Sequence, residues 1–354
     1  MMRSSPWRAS LLPFAWGFGA VTGLRNRCFD WGLMRERGAG VPVISVGNIV
    51  AGGTGKTPFV EYLAKILIEK GLKLAMVSRG YGRRSRGVAI VSDGAGAIVS
   101  AHHGGDEPVQ VARRFPRLAV VVGEDRVAAA RCAVEELRAE VILLDDGYQH
   151  RALRRECDIL LLDARTNIAR EPMLPAGYRR EPLGGMRRAD LIVFTRVDPA
   201  AEGVPWEPVL RRWYGGPLAV SRIATEGFYR ASDGQRASLQ GTSCFAFSGI
   251  ADHAGFVAGL GALGIRIAGE HGYADHHRYS QADLDHLARA FERSGAEMLL
   301  TTEKDLMRLT ADEELRHRAC EVLPLVYSRI ELQLIRGEEE LLGMIDRTVS
   351  RSAA

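Results

Sequence analysis

The chain has 354 residues, enough for about two domains of ordinary size. Hydrophobic residues make up 46% and charged residues 25%, a globular composition that excludes a disordered chain and a multi-span membrane protein. The formal net charge is only +4 and the arginine clusters are scattered, which argues against a nucleic-acid partner. The five cysteines form no CxxC pair, which indicates a reducing compartment and neither a disulfide framework nor a zinc site.

An uncharged, aromatic-rich segment occupies residues 9–24 and is flanked by arginines. It is shorter than the roughly 20 residues that span a bilayer, and it contains Pro13 and three glycines. One interpretation is a cleaved signal peptide, although no convincing small-x-small cleavage site follows. The others are a helix packed on its own domain and an interfacial anchor on the cytoplasmic leaflet. We favour the anchor, because aromatic rings beside arginines suit a membrane interface, and such a helix can also pack partly on the protein.

From residue 41 onward, short β-branched runs alternate with amphipathic stretches. The runs that predict strands lie at 41–47, 73–78, 88–93, 118–123, 141–146, 158–163 and 190–195. Stretches that predict helices lie at 58–70, near 106–114 and at 125–139. Continuous apolar strands separated by helices predict a mostly parallel sheet that is covered on both faces.

Residues 200–242 lose this rhythm and become richer in glycine, proline and polar residues. A second set then follows, with strands predicted at 244–250, 264–270, 296–302 and 322–332 and helices near 252–262 and 280–294. We therefore predict a membrane-associating segment, a main domain, a linker region and a smaller C-terminal α/β domain, at residues 1–38, 39–200, 201–242 and 243–354 respectively.

The sequence GNIVAGGTGKTP at residues 47–58 follows an apolar strand and opens an amphipathic helix, the context of a phosphate-binding P-loop. Its glycines let backbone N–H groups converge on phosphate oxygens. We expect Lys56 to reach the β- and γ-phosphates and Thr57 to bind Mg²⁺. The remaining nucleotide-binding residues would be Gly52, Gly53, Thr54 and Gly55. The loop is a variant, since Val50 stands where the standard pattern has its first glycine.

The apolar run 141–144 ends in a second acidic motif, Asp145 and Asp146. An acidic residue at the end of a buried strand beside a P-loop can hold Mg²⁺ directly or through water. The two motifs together predict a Mg²⁺–nucleoside triphosphate site in an α/β, P-loop NTPase-type domain. The guanine-selecting Asn-Lys-x-Asp motif is only partly matched by residues 195–198 (TRVD), which favours ATP over GTP.

Loops that follow the strands could supply the group that orients an acceptor hydroxyl, because doubly wound sheets bind ligands there. These loops are residues 78–83, 104–108 and 123–126. A histidine-rich segment at 271–279 lacks the cysteine or glutamate residues that would complete a metal site. It remains either a surface turn or a catalytic or substrate-contacting segment.

These motifs together resemble the tetraacyldisaccharide 4′-kinases, the lipid A 4′-kinases of Gram-negative bacteria. In the family's order they are GNIVAGGTGKTP, SRGYGR, GDEP, GEDR, LLDDGYQH, LPAG followed by REPL, ADHHRYS and TTEKD. The resemblance covers about residues 1–310. It implies ATP- and Mg²⁺-dependent phosphorylation of the 4′-hydroxyl of a tetraacyl disaccharide 1-phosphate lipid, a step of lipopolysaccharide biosynthesis. It also implies a peripheral enzyme on the cytoplasmic face of the inner membrane, with the aromatic N-terminal segment as its membrane-binding helix.

By the same resemblance, Asp106 is the general base, His276 is the residue paired with it, and Arg126 lies on the γ-phosphate side. A buried Asp–His pair would suit activation of a hydroxyl, since the carboxylate takes the proton while the imidazole stabilises its position. The residues that the resemblance assigns to the substrate and phosphate region are Arg79, Tyr81, Glu107, Gln149 and His150.

Two segments depart from the family pattern, residues 177–180 after LPAG and residues 249–253. An alternative function is a P-loop GTPase or ATPase that switches a protein partner, for example in metal-cofactor delivery. A third is a membrane-bound nucleotide sensor without catalysis. The lack of a metal-handling Cys/His set argues against the protein switch. The acceptor-side motifs from Asp106 to His276 argue against the nucleotide sensor. No obligate protein partner is inferred.

Overall fold

The chain divides into two compact units in a computed structural model that describes residues 7–96, 99, 101–197 and 203–350. Among the described residues, the first unit contains the chain up to Val99, His103–Ile223 and the segment from Leu332 onward. The second unit consists mainly of Ala224–Glu331. This division differs from the predicted boundaries, because part of the predicted linker and the C-terminal helix pack into the first unit.

The elements of the first half alternate as the sequence predicts. In chain order they are α1 (Trp7–Ser10), α2 (Leu12–Asp30), β1 (Val43–Gly47), α3 (Lys56–Glu69), β2 (Leu74–Ser78), β3 (Ala89–Asp93), α4 (Ala101–Gly104), α5 (Asp106–Arg114), β4 (Ala119–Val122), α6 (Arg126–Glu135), β5 (Val141–Asp145), β6 (Cys157–Asp163) and β7 (Leu191–Thr195). Two 3₁₀ turns, Ile168–Arg170 and Leu183–Arg188, lie between β6 and β7.

The second half continues with longer strands. It contains α7 (Glu207–Leu210), β8 (Leu218–Arg230), β9 (Arg236–Ala237), β10 (Ser243–Ser248), α8 (His253–Ala262), β11 (Arg266–Gly272), α9 (Gln281–Ser294), β12 (Met298–Thr302), α10 (Glu303–Leu309), α11 (Glu313–His317), a π-helical turn (Arg318–Val322), β13 (Leu325–Arg336) and α12 (Glu338–Ser350). The region predicted as a linker therefore holds a 13-residue strand, β8, which the sequence analysis missed.

The first unit is built on a sheet with the strand order β8-β7-β6-β1-β5-β2-β4-β3. All neighbours pair in parallel except β3 and β4, so the run predicted at 88–93 forms an antiparallel edge strand. β1 is buried at all five residues, as expected for a strand whose two faces are both covered. Because β1 lies between β5 and β6, the loop that follows it is flanked by the carboxyl ends of both strands.

In the second unit, strands β11, β10, β12 and β13 pair in parallel in that order. Along β10, Phe245 and Phe247 face one hydrophobic cluster while Cys244 and Ala246 face another, the period of two expected for a strand covered on both faces. The strands and helices of this unit are of the types that the sequence predicts for this part of the chain, and the domain boundaries at 201–242 and 243–354 stay a prediction.

Helix α2 packs through one side and exposes the other. Ala15 is buried against Met173 and Ala176. Phe14 and Trp16 are 67% and 73% exposed. Within the part of the chain that the structure describes, no helix combines the length and the hydropathy needed to cross a bilayer. Packing of α2 on the protein is thus observed, and its role as an anchor stays a prediction.

Candidate active site

The loop between β1 and α3 has the form that phosphate binding requires. Gly55 precedes α3 with a left-handed φ of 78°, a conformation that favours glycine. Asn48 Nδ2 donates to Thr54 Oγ1 at 2.7 Å, and the Thr195 hydroxyl donates to the Thr54 carbonyl at 2.8 Å. These buried contacts fix the turn, so that the unpaired N–H groups at the start of α3 are available to an anion.

Arg196 holds the outer side of the same loop. Its Nη1 atom donates to the Gly53 carbonyl at 2.6 Å and lies 3.1 Å from Asp163 Oδ2 at the end of β6. Asp163 is also bound by Arg165. In the sequence, Thr195 and Arg196 belong to a partial guanine motif, but in the fold both contact the P-loop backbone. Asp198, the acidic residue of that motif, lies outside the described residues.

The second acidic motif meets the P-loop lysine. Lys56 Nζ lies 3.5 Å from Asp146 Oδ1, and Arg180 Nη1 lies 3.0 Å from both carboxylate oxygens of Asp146. Ser78 Oγ donates to Asp145 Oδ2 at 2.9 Å. The predicted residues Lys56, Asp145 and Asp146 are therefore brought together. Arg180 was missed as a site residue, although it is the first residue of the REPL motif and the last of the segment 177–180 that departs from the family pattern.

The two adjacent aspartates have opposite pKa shifts. Burial, followed by the charges of Glu107 and Asp146, raises the pKa of Asp145 to about 6. Burial also raises the pKa of Asp146, but Lys56 and Arg180 outweigh it and hold that pKa below its ordinary value. The crowding of carboxylates at Asp145 would be relieved by a cation.

The donor set fits Mg²⁺ bound with nucleotide. The described residues include no group of three or more His, Cys, Asp or Glu that could hold a metal without other ligands. Mg²⁺ needs no such cage, since it usually keeps water and phosphate oxygens and takes one or two carboxylates. Thr57, Asp145 and Asp146 could supply its protein ligands, and their assignment to the metal stays a prediction.

The acceptor-side residues start at helix α5. Gly105 precedes Asp106 with a φ of 88°, and a Cβ there would lie 3.1 Å from the Tyr81 carbonyl oxygen. The start of α5 therefore packs closely on the backbone of the loop after β2. Asp106 is exposed, Tyr81 is 86% exposed, and Glu107 is half-buried, with its charge acting on Asp145. This arrangement places Asp106, Glu107 and Tyr81 at the same edge of the sheet as the acidic pair.

The buried Arg126 and the half-buried His150 interact with each other beside the aspartates. Burial and the charge of Arg79 lower the pKa of Arg126, while Asp146 and Asp145 act in the opposite direction. Burial, then the charge of Arg126, lowers the pKa of His150 to about 4, so its imidazole is neutral near pH 7. Arg126 Nε and His150 Nε2 are buried with no hydrogen-bond partner among the described residues. Both atoms could serve a bound ligand.

His276 lies in the second unit, on the loop between β11 and α9. Its side chain is 63% exposed, and Asp106 is exposed in the first unit. The expectation of a buried Asp–His pair is therefore wrong in its burial, because each residue stands on a surface loop or helix start. The pairing of Asp106 with His276 stays a prediction.

Comparison with known proteins identifies the family. The family model of tetraacyldisaccharide-1-P 4′-kinase matches residues 7–350. The chain belongs to this family. A tetraacyldisaccharide 4′-kinase from Anaeromyxobacter sp. strain Fw109-5 is 39% identical over an alignment of 359 residues, covering 99% of this chain and 95% of the relative. The relative from Pelodictyon phaeoclathratiforme strain DSM 5477 / BU-1 is 35% identical, with coverage of 98% and 99%.

A solved structure agrees with this assignment. The crystal structure of LpxK from Aquifex aeolicus in complex with ATP superimposes with a TM-score of 0.79 at 35% identity, covering 97% of this chain and 99% of that chain. The predictions of an α/β fold and of an ATP-dependent kinase of lipid A biosynthesis are therefore confirmed. The alternatives of a protein switch or a nucleotide sensor are not supported.

A buried polar chain links the N-terminal helix of this kinase to its P-loop. Asn26 Nδ2 donates to Glu181 Oε2 at 2.8 Å, and Gln149 Nε2 donates both to Glu181 Oε1 and to the Asn48 carbonyl at 2.8 Å. Arg188 balances the charge of the fully buried Glu181. The family resemblance assigns Gln149 to the substrate, but its amide nitrogen donates hydrogen bonds within the protein, to Glu181 and to the backbone of the P-loop segment. Asn26 and Glu181 were missed: nothing in the local sequence marks Asn26, and Glu181 was quoted only as part of the REPL motif, without a role.

Proposed function

We propose that Asp106 is the general base of this kinase, and that Lys56 and Arg126 stabilise the transferring phosphoryl group. In this reaction the 4′-oxygen of the disaccharide lipid forms a bond to the γ-phosphorus, and the bond from that phosphorus to the ADP oxygen breaks. The proton of the hydroxyl passes to the Asp106 carboxylate. Phosphoryl transfer depends mainly on positioning and charge neutralisation, so a base of ordinary strength is sufficient.

The observation that carries this proposal is the packing of the α5 start on the loop after β2. That contact brings Asp106 to the edge of the sheet where Lys56 and the aspartate pair lie. When bound, Mg²⁺ would neutralise charge on the phosphates, and Thr57, Asp145 and Asp146 would hold it. Arg79, Tyr81 and His150 remain our candidates for substrate contacts.

We further propose that the kinase works on the cytoplasmic face of the inner membrane, where ATP and the lipid acceptor meet. The exposed apolar residues of α2 support this, since Phe14, Trp16, Val21 and Leu24 together present rings and branched side chains to solvent. Arg27 follows on the same helix, is exposed, and suits an anionic lipid surface. A helix of this kind lies in the interface and does not need to cross it.

The test of the chemical role uses the full chain with Mg²⁺, ATP and the disaccharide lipid in mixed micelles. Mass spectrometry should find one added phosphate on the lipid. Asp106→Asn should lower kcat by on the order of 10²–10⁴ while ATP binding is retained. The matched control is Asp346→Asn, an exposed aspartate of α12 paired with Lys70, which should leave kcat unchanged. Full turnover of Asp106→Asn would remove Asp106 from the mechanism.

A further inference from the structure

The second unit contains a buried carboxylate for which the reaction described above has no use. Asp305, in the first turn of α10, is fully buried. Its Oδ1 atom accepts hydrogen bonds from the Gly249 N–H and the Tyr279 hydroxyl, both at 3.0 Å. Its Oδ2 atom accepts from Thr302 Oγ1 at 2.6 Å. Such a site holds the carboxylate rigidly, since neutral donors satisfy both of its oxygens.

Arg308 lies one turn further along α10 and connects this carboxylate to His276. Its Nη1 atom donates to the Gly249 carbonyl at 2.8 Å and lies 3.2 Å from Asp305 Oδ1. Its Nη2 atom lies 3.2 Å from His276 Nδ1. The Arg308 side chain is only 9% exposed, so the guanidinium has little freedom to leave this position. A nearly buried cation is thus aimed at one nitrogen of a largely exposed imidazole.

The chemistry of the two groups decides which nitrogen of His276 carries the proton. A guanidinium has five N–H donors and no acceptor, so the nitrogen that meets it must be an acceptor. A His276 Nδ1 atom that accepts from Arg308 carries no proton, which leaves the ring proton on Nε2. The Nε2–H group points away from Arg308 and can donate to a carboxylate or a phosphate oxygen.

The backbone of His276 is fixed by the same group of residues. Its N–H donates to the Gly249 carbonyl at 3.0 Å, the oxygen that also accepts from Arg308. Its φ is +59°, in the left-handed region that residues other than glycine seldom adopt. Such a conformation persists only where its surroundings enforce it, and such positions cluster at functional sites. Backbone and ring are therefore both held by contacts that converge on Gly249.

We propose that Arg308, held by the buried Asp305, is a positioning residue that fixes the ring orientation and the Nε2–H tautomer of His276. This inference rests on the proposed function and on the role predicted for His276 as the residue paired with the general base Asp106. A plain structural role for Asp305 and Arg308 in capping α10 would affect stability but would not select a tautomer.

The experiment measures the tautomer directly and the turnover separately. Full-length protein with ¹⁵N-labelled histidine is examined by long-range ¹H–¹⁵N NMR, and His276→Gln assigns the signals of His276. Wild type should show the Nε2–H pattern, and Arg308→Ala should give a mixture of tautomers. Arg308→Lys, whose ammonium cannot reach all three partners in the same geometry, should be intermediate. Arg293→Ala, an exposed arginine of α9, is the matched control and should keep the wild-type pattern.

The kinetic arm uses Mg²⁺, ATP and the disaccharide lipid. Arg308→Ala should lower kcat by up to about 100-fold with an unchanged KM for ATP, and Arg308→Lys should recover part of the loss. An unaltered Nε2–H pattern in Arg308→Ala would overturn the inference. So would full turnover of Arg308→Ala when His276→Gln is impaired. If His276→Gln itself has full turnover, the proposed role of His276 fails, and the NMR pattern alone then decides whether Arg308 sets the tautomer.

Discussion

Replacing Arg196 with alanine tests how the P-loop of this kinase is held. The guanidinium donates to the Gly53 carbonyl at 2.6 Å and pairs with Asp163 at 3.1 Å, and the two side chains are 34% and 13% exposed. A hydrogen bond from a charged group contributes about 1.5–3 kcal/mol, and partial exposure reduces this to about 1–2 kcal/mol. If that energy favours the phosphate-binding shape of the loop, ATP affinity should fall about 5- to 30-fold.

The assay is the KM for ATP at saturating disaccharide lipid, with the Kd for ATP from calorimetry. We expect kcat to change less than KM, because bound phosphates restore the loop once ATP is in place. Arg165 binds the same Asp163 carboxylate. Arg165→Ala therefore removes a comparable charge but leaves the bond from Arg196 to Gly53 intact, and it should raise KM much less. An unchanged KM in Arg196→Ala, or an equal rise in both variants, would refute the reasoning.

Three further predictions concern the metal site, the buried polar chain and the exposed helix. Because the pKa of Asp145 is about 6 without ligand, protonation of this carboxyl competes with Mg²⁺ binding below that pH. The Mg²⁺ concentration needed for half-maximal turnover should therefore rise as the pH falls through 6. The rise should be smaller in Asp145→Asn. Asn26→Ala removes one of the two donors to Oε2 of the buried Glu181, the other being Arg188, and should cost about 1–3 kcal/mol of unfolding free energy in urea titrations. Superimposable curves would contradict this. Trp16 is 73% exposed, and Trp16→Ser should weaken sedimentation with anionic vesicles without changing the midpoint of thermal unfolding. The control Leu263→Ser, at a residue 52% exposed in the second unit, should change neither quantity. Undiminished vesicle binding of Trp16→Ser would place the membrane contact elsewhere.

Local patterns were enough to predict most strands and helices of this chain. The apolar runs at 141–146 and 158–163 form β5 and β6, because a continuous apolar run of that length has its lowest free energy as a strand buried on both faces. The long strand β8 was missed, since its neighbourhood is rich in glycine, proline and polar residues. The sequence also did not predict which strand of the mostly parallel sheet would be antiparallel, and the structure shows that it is β3. An edge strand can pair either way, and only its partner β4 decides.

The sequence by itself determined the P-loop, the aspartate pair and the order of the acceptor-side motifs, because each is a short stretch whose chemistry depends on residue type and spacing. The tertiary structure alone decided which distant residues complete them. Arg180 reaches Asp146, Arg196 reaches Gly53 and Asn26 reaches Glu181, although 34, 143 and 155 positions separate the partners. The tertiary structure also determined which side chains are buried, so that the amide of Gln149 faces inward and Asp106 is exposed. The physical reason is that burial and long-range pairing depend on which strand ends the sheet brings side by side, and no local pattern contains that information.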